Sequence, residues 1–272
     1  MTESYAWFLA GWAKRLSWSE TAAAFRTTWD QVFSAVRMAV MWGRKHQNLE
    51  AIEAIGVDEI ARQRGHRYLT LVYQIDSGCR RLLWIGRERR AETLQKFFQW
   101  LGTERIEKLR YICSDMWKPY LKVIADKAGH ALHILDRFHI MAQMSKAIDQ
   151  VRAEEVRRLK QEGLEPMLSN TRWLLLKRPE KLTAKQEPKL AALLRCNLKT
   201  VRSYLLKEDF QRLWSYKSWY WAGKFLDRWC TKTMRSKIEP MKKAAGQLRK
   251  HRPLMLNWFR AKGQFSSGIV EG

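Results

Sequence analysis

Three apolar segments in close succession, 54-AIGVDEI-60, 68-YLTLVYQI-75 and 81-RLLWI-85, decide the fold. The last two are rich in the β-branched and aromatic residues that strands favour. Residues 76–78, Asp-Ser-Gly, form a strong turn sequence between them, and a second turn is expected at residues 64–66. The sequence therefore predicts three consecutive antiparallel strands.

The segments that follow alternate between helix and strand. Residues 91–101 have apolar side chains at helical spacing, and a helix is predicted from Pro119, a residue suited to a first helical turn, to about Lys127. Strands are predicted at residues 109–114 and 131–135. The resulting order, βββαβαβ, predicts an α/β protein with a mixed sheet of the RNase H-like kind and helices packed on it.

Residues 138–265 show no strand pattern and are predicted to be helical and basic. Gly163 and four prolines interrupt this stretch and indicate several separate helices rather than one. The prolines are Pro166, Pro179, Pro240 and Pro253. We therefore expect a long all-helical insertion after the last strand.

The N-terminal residues 5–44 predict a helix-turn-helix. Ser17-Trp18-Ser19-Glu20 and Thr28-Trp29-Asp30-Gln31 each have the form of a capping box, so a short helix, a tight turn and a second helix should follow one another. On the second helix, we expect Gln31, Ser34 and Arg37 to face outwards and to contact DNA bases. A plain helical bundle is the alternative.

The charge of the chain favours nucleic acid as its partner. Lys and Arg total 51 against 27 Asp and Glu, giving a net charge of +24. Repulsion among so many positive charges destabilises the folded state unless a polyanion binds. A membrane surface is less favoured, because no apolar run approaches the ~18 residues of a membrane span. The four cysteines have no CxxC spacing, which argues against a zinc site and suits a reducing compartment.

Two acids stand where the predicted strands would bring them together. Asp58 lies within the first strand, and Asp115 directly follows the fourth, which should be its neighbour in the sheet. A buried carboxylate is costly unless it is paired or binds a metal. Hard divalent cations such as Mg²⁺ prefer oxygen ligands. A helix N-cap is the alternative role for Asp115.

Four blocks of sequence resemble, in order, those of insertion-sequence DDE transposases, and most closely the ISL-three family. The resemblance covers residues from about Asn48 to the C-terminus. The blocks are Gly56-Val57-Asp58-Glu59, Cys113-Ser114-Asp115-Met116-Trp117-Lys118-Pro119-Tyr120, Leu135-Asp136-Arg137-Phe138-His139 and Ser267-Gly268-Ile269-Val270-Glu271-Gly272.

The resemblance implies a catalytic triad of Asp58, Asp115 and Glu271 that holds two Mg²⁺ (or Mn²⁺) ions. It also implies DNA cleavage and strand transfer at the terminal inverted repeats of a mobile element and into target DNA. Two such ions activate the attacking oxygen and stabilise the leaving one. Because two element ends must be joined, a homodimer or larger assembly is expected, located in the cytoplasm on the nucleoid.

Nearby titratable residues receive lesser roles. Asp136 and His139 follow the fifth strand and are candidates for an accessory role, although a structural histidine is favoured for His139. Glu59 should point to the opposite sheet face from Asp58 and be solvated. Asp76 and Asp126 are expected to be turn and surface acids.

The predicted domains are a helix-turn-helix at residues 1–47, a catalytic core at 48–140, a helical insertion at 141–265 and, at 266–272, the start of the helix that carries Glu271. The chain departs from the family in having no N-terminal cysteine-rich zinc finger and in stopping one residue after Glu271. We therefore expect a truncated transposase that binds DNA but cuts it inefficiently.

Two other functions fit parts of the pattern. A non-catalytic DNA-binding remnant that represses the element would keep the helix-turn-helix and the charge but not use the triad. An RNase H-like nuclease would use the acids on branched or hybrid substrates instead of terminal repeats.

Overall fold

A computed structural model describes residues 1–63, 67–163, 168, 171–177, 179–196 and 198–265. The chain divides into two compact units, Met1–Ala51 and Ile52–Gly272. The first contains three helices, and the second contains one five-stranded sheet with helices on it. Glu271 and the predicted turn at 64–66 lie outside the described residues.

The N-terminal unit consists of α1 (Glu3–Trp12), α2 (Trp18–Ala24) and α3 (Trp29–Lys45), and both α1 and α2 pack against α3. Ser17 and Glu20 form the predicted capping box at α2. Of the second predicted capping box, only the hydroxyl cap is present and the return contact from Gln31 is absent. The Thr28 hydroxyl caps α3, but the Gln31 side chain accepts from the Thr27 hydroxyl rather than reaching back to the cap.

The sheet contains all five predicted strands in the order β3-β2-β1-β4-β5. Pairing is antiparallel between β1 and β2 and between β2 and β3, and parallel between β1 and β4 and between β4 and β5. Their bounds are β1 Ala54–Gln63, β2 Arg67–Asp76, β3 Cys79–Arg87, β4 Tyr111–Ser114 and β5 Leu132–Leu135. The predicted mixed α/β architecture is confirmed.

Three helices connect the strands: α4 (Ala91–Leu101), α5 (Thr103–Glu107) and α6 (Lys118–Ala128). The short α5 was not predicted. The helix α4 packs against β2 and β3, and α6 against β4. The predicted tight turn between β2 and β3 is present, and Gly78 there has a φ of +88°, which L side chains rarely adopt.

After β5 the described residues form no further strand, in agreement with the predicted helical stretch. Two short 3₁₀ turns, at Pro179–Lys181 and Arg212–Ser215, lie between the helices. The helices are α7 Arg137–Gln161, α8 Arg172–Leu176, α9 Glu187–Leu194, α10 Lys199–Gln211, α11 Trp219–Met234, α12 Glu239–Lys250 and α13 Arg252–Arg260. Pro240 and Pro253 lie in the first turns of α12 and α13.

The start of α10 is capped by a side chain from another helix. Its own N-cap, Leu198, offers no side-chain acceptor. Glu155 of α7, only 4% exposed, accepts the backbone N–H groups of Lys199 at 3.0 Å and Thr200 at 2.8 Å. Because the first N–H groups of a helix have no partner within it, this carboxylate joins α7 to α10.

Replacing this capping carboxylate should destabilise the protein. In Glu155→Ala, the N–H groups of Lys199 and Thr200 lose a buried acceptor, which costs about 1–3 kcal/mol. The free energy of unfolding in urea measures the loss. Glu154→Ala removes an exposed acid from the same helix and should change stability by less than about 0.5 kcal/mol. Equal stabilities for the two variants would contradict the capping role.

Candidate functional site

The parallel register of β1 and β4 brings Asp58 and Asp115 to the same level of the sheet. Ala54 lies opposite Tyr111, and Gly56 lies opposite Cys113. Asp58 lies two residues after Gly56, and Asp115 lies two residues after Cys113. Neighbouring strands are about 4.8 Å apart, so the backbones of the two acids occupy adjacent positions beside the carboxyl end of β4.

Asp58 is nearly buried, with 7% of the residue exposed. Its Oδ1 accepts the backbone N–H of Glu59 at 2.7 Å, and His139 Nε2 lies 3.3 Å from the same oxygen. A buried carboxylate needs a positive partner to offset its lost hydration. In this structure, the imidazole of His139 is that partner.

His139, near the start of α7, faces two carboxylates. Besides Asp58, Asp136 Oδ2 lies 3.8 Å from its Nε2. The contact with Asp58 raises the pKa of His139 to about 9, against the opposing effect of burial. Among the described residues, no acceptor is aligned with the buried Nε2, so the contact with Asp58 is an ion pair rather than a well-formed hydrogen bond.

Asp115 uses both oxygens. Its Oδ1 accepts the backbone N–H of Trp117 at 2.9 Å, and its Oδ2 accepts from Arg89 Nη2 at 2.7 Å. The N-cap of α6 is Trp117, which has no side-chain cap. The alternative role of Asp115 as the helix N-cap is therefore wrong. Its carboxylate shapes the turn before the helix instead.

Arg89 links Asp115 to Glu59. Its Nε lies 2.8 Å from Glu59 Oε1, and its guanidinium lies 4.6 Å from the ring centre of Trp117. The expectation that Glu59 is solvated is wrong, because its side chain is only 11% exposed. Burial, followed by the charge of Asp115, raises the pKa of Glu59 to about 7, and Arg89 opposes that rise. One guanidinium thus compensates two carboxylates.

A buried polar pair supports the backbone at Asp115. The Ser114 hydroxyl donates to the Asp115 carbonyl oxygen at 2.9 Å and lies 2.8 Å from His133 Nε2. Since the hydroxyl has one proton, the N–H of His133 is the donor in the second contact. Burial, then the charge of His251, lowers the pKa of His133 to about 4, which keeps its ring neutral.

Asp136 performs a structural task at the end of β5. It is the N-cap of α7, and its Oδ1 accepts the backbone N–H of Phe138 at 3.3 Å. The residue is 2% exposed. The same carboxylate therefore begins the helix and contributes to the field around His139.

The donor chemistry of Asp58 and Asp115 fits a divalent cation. Asp58 and Asp115 offer hard oxygen ligands, and each is already turned towards a positive side chain, His139 or Arg89. Among the described residues, no group of three or more His, Cys, Asp or Glu side chains is close enough to hold a metal ion. The third predicted ligand, Glu271, lies outside those residues.

The three residues predicted to contact DNA bases are all exposed. Gln31, Ser34 and Arg37 lie on α3, while Val32 and Ala35 of the same helix are buried. The helix therefore presents a polar face of these residues and an apolar face towards its own unit.

Sequence reasoning missed Arg89 and His133. Arg89 lies in a run of charged residues after β3, where the sequence gives no reason to prefer it over Arg90. His133 is one polar residue in a short buried strand. Only the contacts made by Asp115 and Ser114 distinguish these two side chains.

The fold and site define a mixed α/β protein with one carboxylate within β1 and another directly after its parallel neighbour β4. The DDE transposase family model of the ISL3 type, described as a transposase, matches residues 55–272, and the chain belongs to this family. The chain is 28% identical over 253 residues to the transposase for insertion sequence element IS1001 of Bordetella parapertussis. It is 30% identical over 262 residues to the transposase for insertion sequence element IS1557 of Mycobacterium tuberculosis.

These matches cover 92% and 86% of this chain but 61% and 58% of the two relatives. The chain therefore spans about three fifths of their length. Within the described residues, no helix is both long enough and apolar enough to cross a membrane.

The ion pair between His139 and Asp58 should make stability depend on pH. The pKa of His139 is raised in the folded protein, so its stabilising effect is complete below about pH 6.5 and is lost as pH rises through about 9. As pH rises through this range, the stability advantage of the parent over His139→Gln should fall by on the order of 1 kcal/mol. The value is this small because the ring is partly exposed and solvent screens the interaction. Unfolding in urea at several pH values measures this difference.

The control for loss of an imidazole is His130→Gln, at an exposed position on the other side of β5 in sequence. A parent-minus-His139→Gln difference that stays constant from neutral to alkaline pH would contradict the ion pair.

Proposed function

We propose that this chain cleaves DNA and transfers strands at the ends of an insertion sequence, using Asp58, Asp115 and Glu271 as its DDE triad. The observation that carries the proposal is the register of β1 and β4, which sets Asp58 and Asp115 side by side in a member of a transposase family. The strand order and pairing also support assignment of the sheet to the RNase H-like kind.

The three carboxylates would hold two Mg²⁺ or Mn²⁺ ions. When bound, such ions activate the attacking oxygen and stabilise the leaving oxygen of a phosphodiester. The contribution of the protein is to fix the ligands. The backbone N–H of Trp117 and the Ser114–His133 pair orient Asp115, and the backbone N–H of Glu59 orients Asp58.

Arg89 and His139 have a second part in this proposal. Without a metal, they compensate two acids that would otherwise repel one another and lose hydration. With a metal, both side chains would have less need to contact the carboxylates. Each lies beside the reacting centre and is then available to a phosphate oxygen of the DNA.

The N-terminal unit would be the DNA reader. A short turn separates α2 from α3, which is the layout of a helix-turn-helix, and Gln31, Ser34 and Arg37 lie on the exposed face of α3. Gln suits adenine and Arg suits guanine in the major groove. We assign the terminal inverted repeats to this unit, and the joining of two ends to an assembly of at least two copies.

Removal of any triad carboxylate should abolish metal-dependent cleavage without abolishing DNA binding. We expect Asp58→Asn, Asp115→Asn and Glu271→Gln each to lower the rate of Mg²⁺-dependent nicking of an element end by at least about 10²-fold, because a misplaced ligand alone costs that much. Nicking is measured in this chain and in one extended by the downstream residues of a relative. Duplex affinity is measured in parallel.

The matched control is Asp126→Asn, which neutralises an exposed acid on α6. It should nick at the parental rate. If the triad variants nick as fast as Asp126→Asn in the extended chain, the catalytic assignment is wrong. If the parent binds DNA but the extended chain never cuts it, a DNA-binding remnant is the better description.

A further inference from the structure

Three consecutive aromatic residues are exposed at the start of α11. Trp219, Tyr220 and Trp221 are 48%, 49% and 55% exposed. Other tryptophans of the helical region, such as Trp214 and Trp229, are buried in its core. Exposing three large apolar rings to water is unfavourable, so binding of a partner that covers them would be favoured.

The three rings form one connected surface. The ring centres of Trp219 and Tyr220 are 6.3 Å apart, and those of Tyr220 and Trp221 are 5.3 Å apart. Both pairs meet edge to face at close to a right angle. We call these three side chains the aromatic patch.

Positive charges border the aromatic patch. Lys224 Nζ lies 4.6 Å from the ring centre of Tyr220 and 5.1 Å from that of Trp221. The guanidinium of Arg260, from α13, lies 5.1 Å from the ring centre of Trp219. Residues 217–224, KSWYWAGK, contain two lysines and no acid. The surroundings therefore suit an anionic partner.

The packing of α11 against α13 sets this arrangement. Arg252 pairs with Asp227 through two hydrogen bonds of 2.8 and 2.9 Å. A side chain at Gly223 would meet the Arg252 guanidinium at 2.8 Å and Leu256 at 3.2 Å, so glycine allows the close approach. This contact fixes the register that brings Arg260 beside Trp219.

We propose that the aromatic patch, with Lys224 and Arg260, binds unpaired bases of a single DNA strand. The inference rests on the proposed function, in which the chain acts on DNA. Aromatic rings stack on the faces of bases that are not paired, and the bordering cations attract the phosphates between them. Bases in an intact duplex are already stacked, so this site would bind strands opened at or near the cleavage point.

A second copy of the chain fits this surface less well. The chain has a net charge of +24, and the patch is itself bordered by cations, so two such surfaces would repel each other. A nucleic acid strand offers flat base faces that can stack on the rings and negative charge that the bordering cations attract.

The test compares single-stranded with duplex binding by the full chain. The probes are a fluorescein-labelled strand of mixed sequence and the duplex that it forms with its complement. Trp219→Leu/Trp221→Leu should bind the single strand at least about tenfold more weakly, since one stacked base commonly contributes that much. Duplex affinity should change by less than about twofold, because phosphate contacts dominate it.

Two further variants separate stacking from other effects. Trp219→Phe/Trp221→Phe keeps aromatic faces and should retain most single-strand affinity. Trp173→Leu removes an exposed tryptophan that also lies near an arginine, Arg172, but stands outside the patch, and it should bind like the parent. A strand containing 2-aminopurine should lose fluorescence on binding the parent and the Phe variant, but not the Leu variant.

Several results would overturn the proposal. Parental single-strand affinity in the Leu variant, equal loss for single strand and duplex, or equal behaviour of the Phe and Leu variants would each do so. A fall in self-association alone would assign the patch to a protein interface. If the parent binds neither probe, the proposed function fails as well. If the parent binds the duplex normally and the Leu substitutions do not change single-strand binding, only the proposed role of the aromatic patch is refuted.

Discussion

The parallel pairing of β1 with β4 is the constraint on which the site depends. It sets two carboxylates at the same level of adjacent strands, and one of them is almost buried. The neighbouring side chains are arranged in response. Arg89 forms ion pairs with both Asp115 and Glu59, and His139 faces Asp58. Burying these carboxylates without positive partners would destabilise the fold, so the positive side chains belong to the site.

Positive charge has different tasks in different parts of the molecule. At the sheet it is held in short ion pairs with acids, whereas beside the aromatic patch it lies over exposed rings. The first arrangement satisfies charges within the protein, and the second leaves Lys224 exposed to a partner. The net charge of +24 is compatible with the proposed DNA partner, but only the individual contacts show which cations are available to it.

Much of the fold followed from local patterns. Apolar segments rich in strand-forming residues and the turn at Gly78 predicted the first three strands, and amphipathic spacing predicted α4 with its observed bounds. The positions of Asp58 and Asp115 on neighbouring strands also followed, because the predicted strand order places the first strand beside the fourth. The partners of these acids did not. Glu59 was predicted to be solvated because its partner, Arg89, lies thirty residues away in sequence, and the cap of α10 by Glu155 spans more than forty residues.

The most direct test of the account is whether Asp58 and Asp115 share one divalent cation. Mn²⁺ binding should be measured by electron paramagnetic resonance for the parent, Asp58→Asn, Asp115→Asn and the double variant. A shared ion predicts that the double variant loses less binding free energy than the two single losses added together, by at least about 0.5 kcal/mol. Strictly additive losses, or parental Mn²⁺ affinity in either single variant, would contradict a common metal site between the middle of β1 and the end of β4.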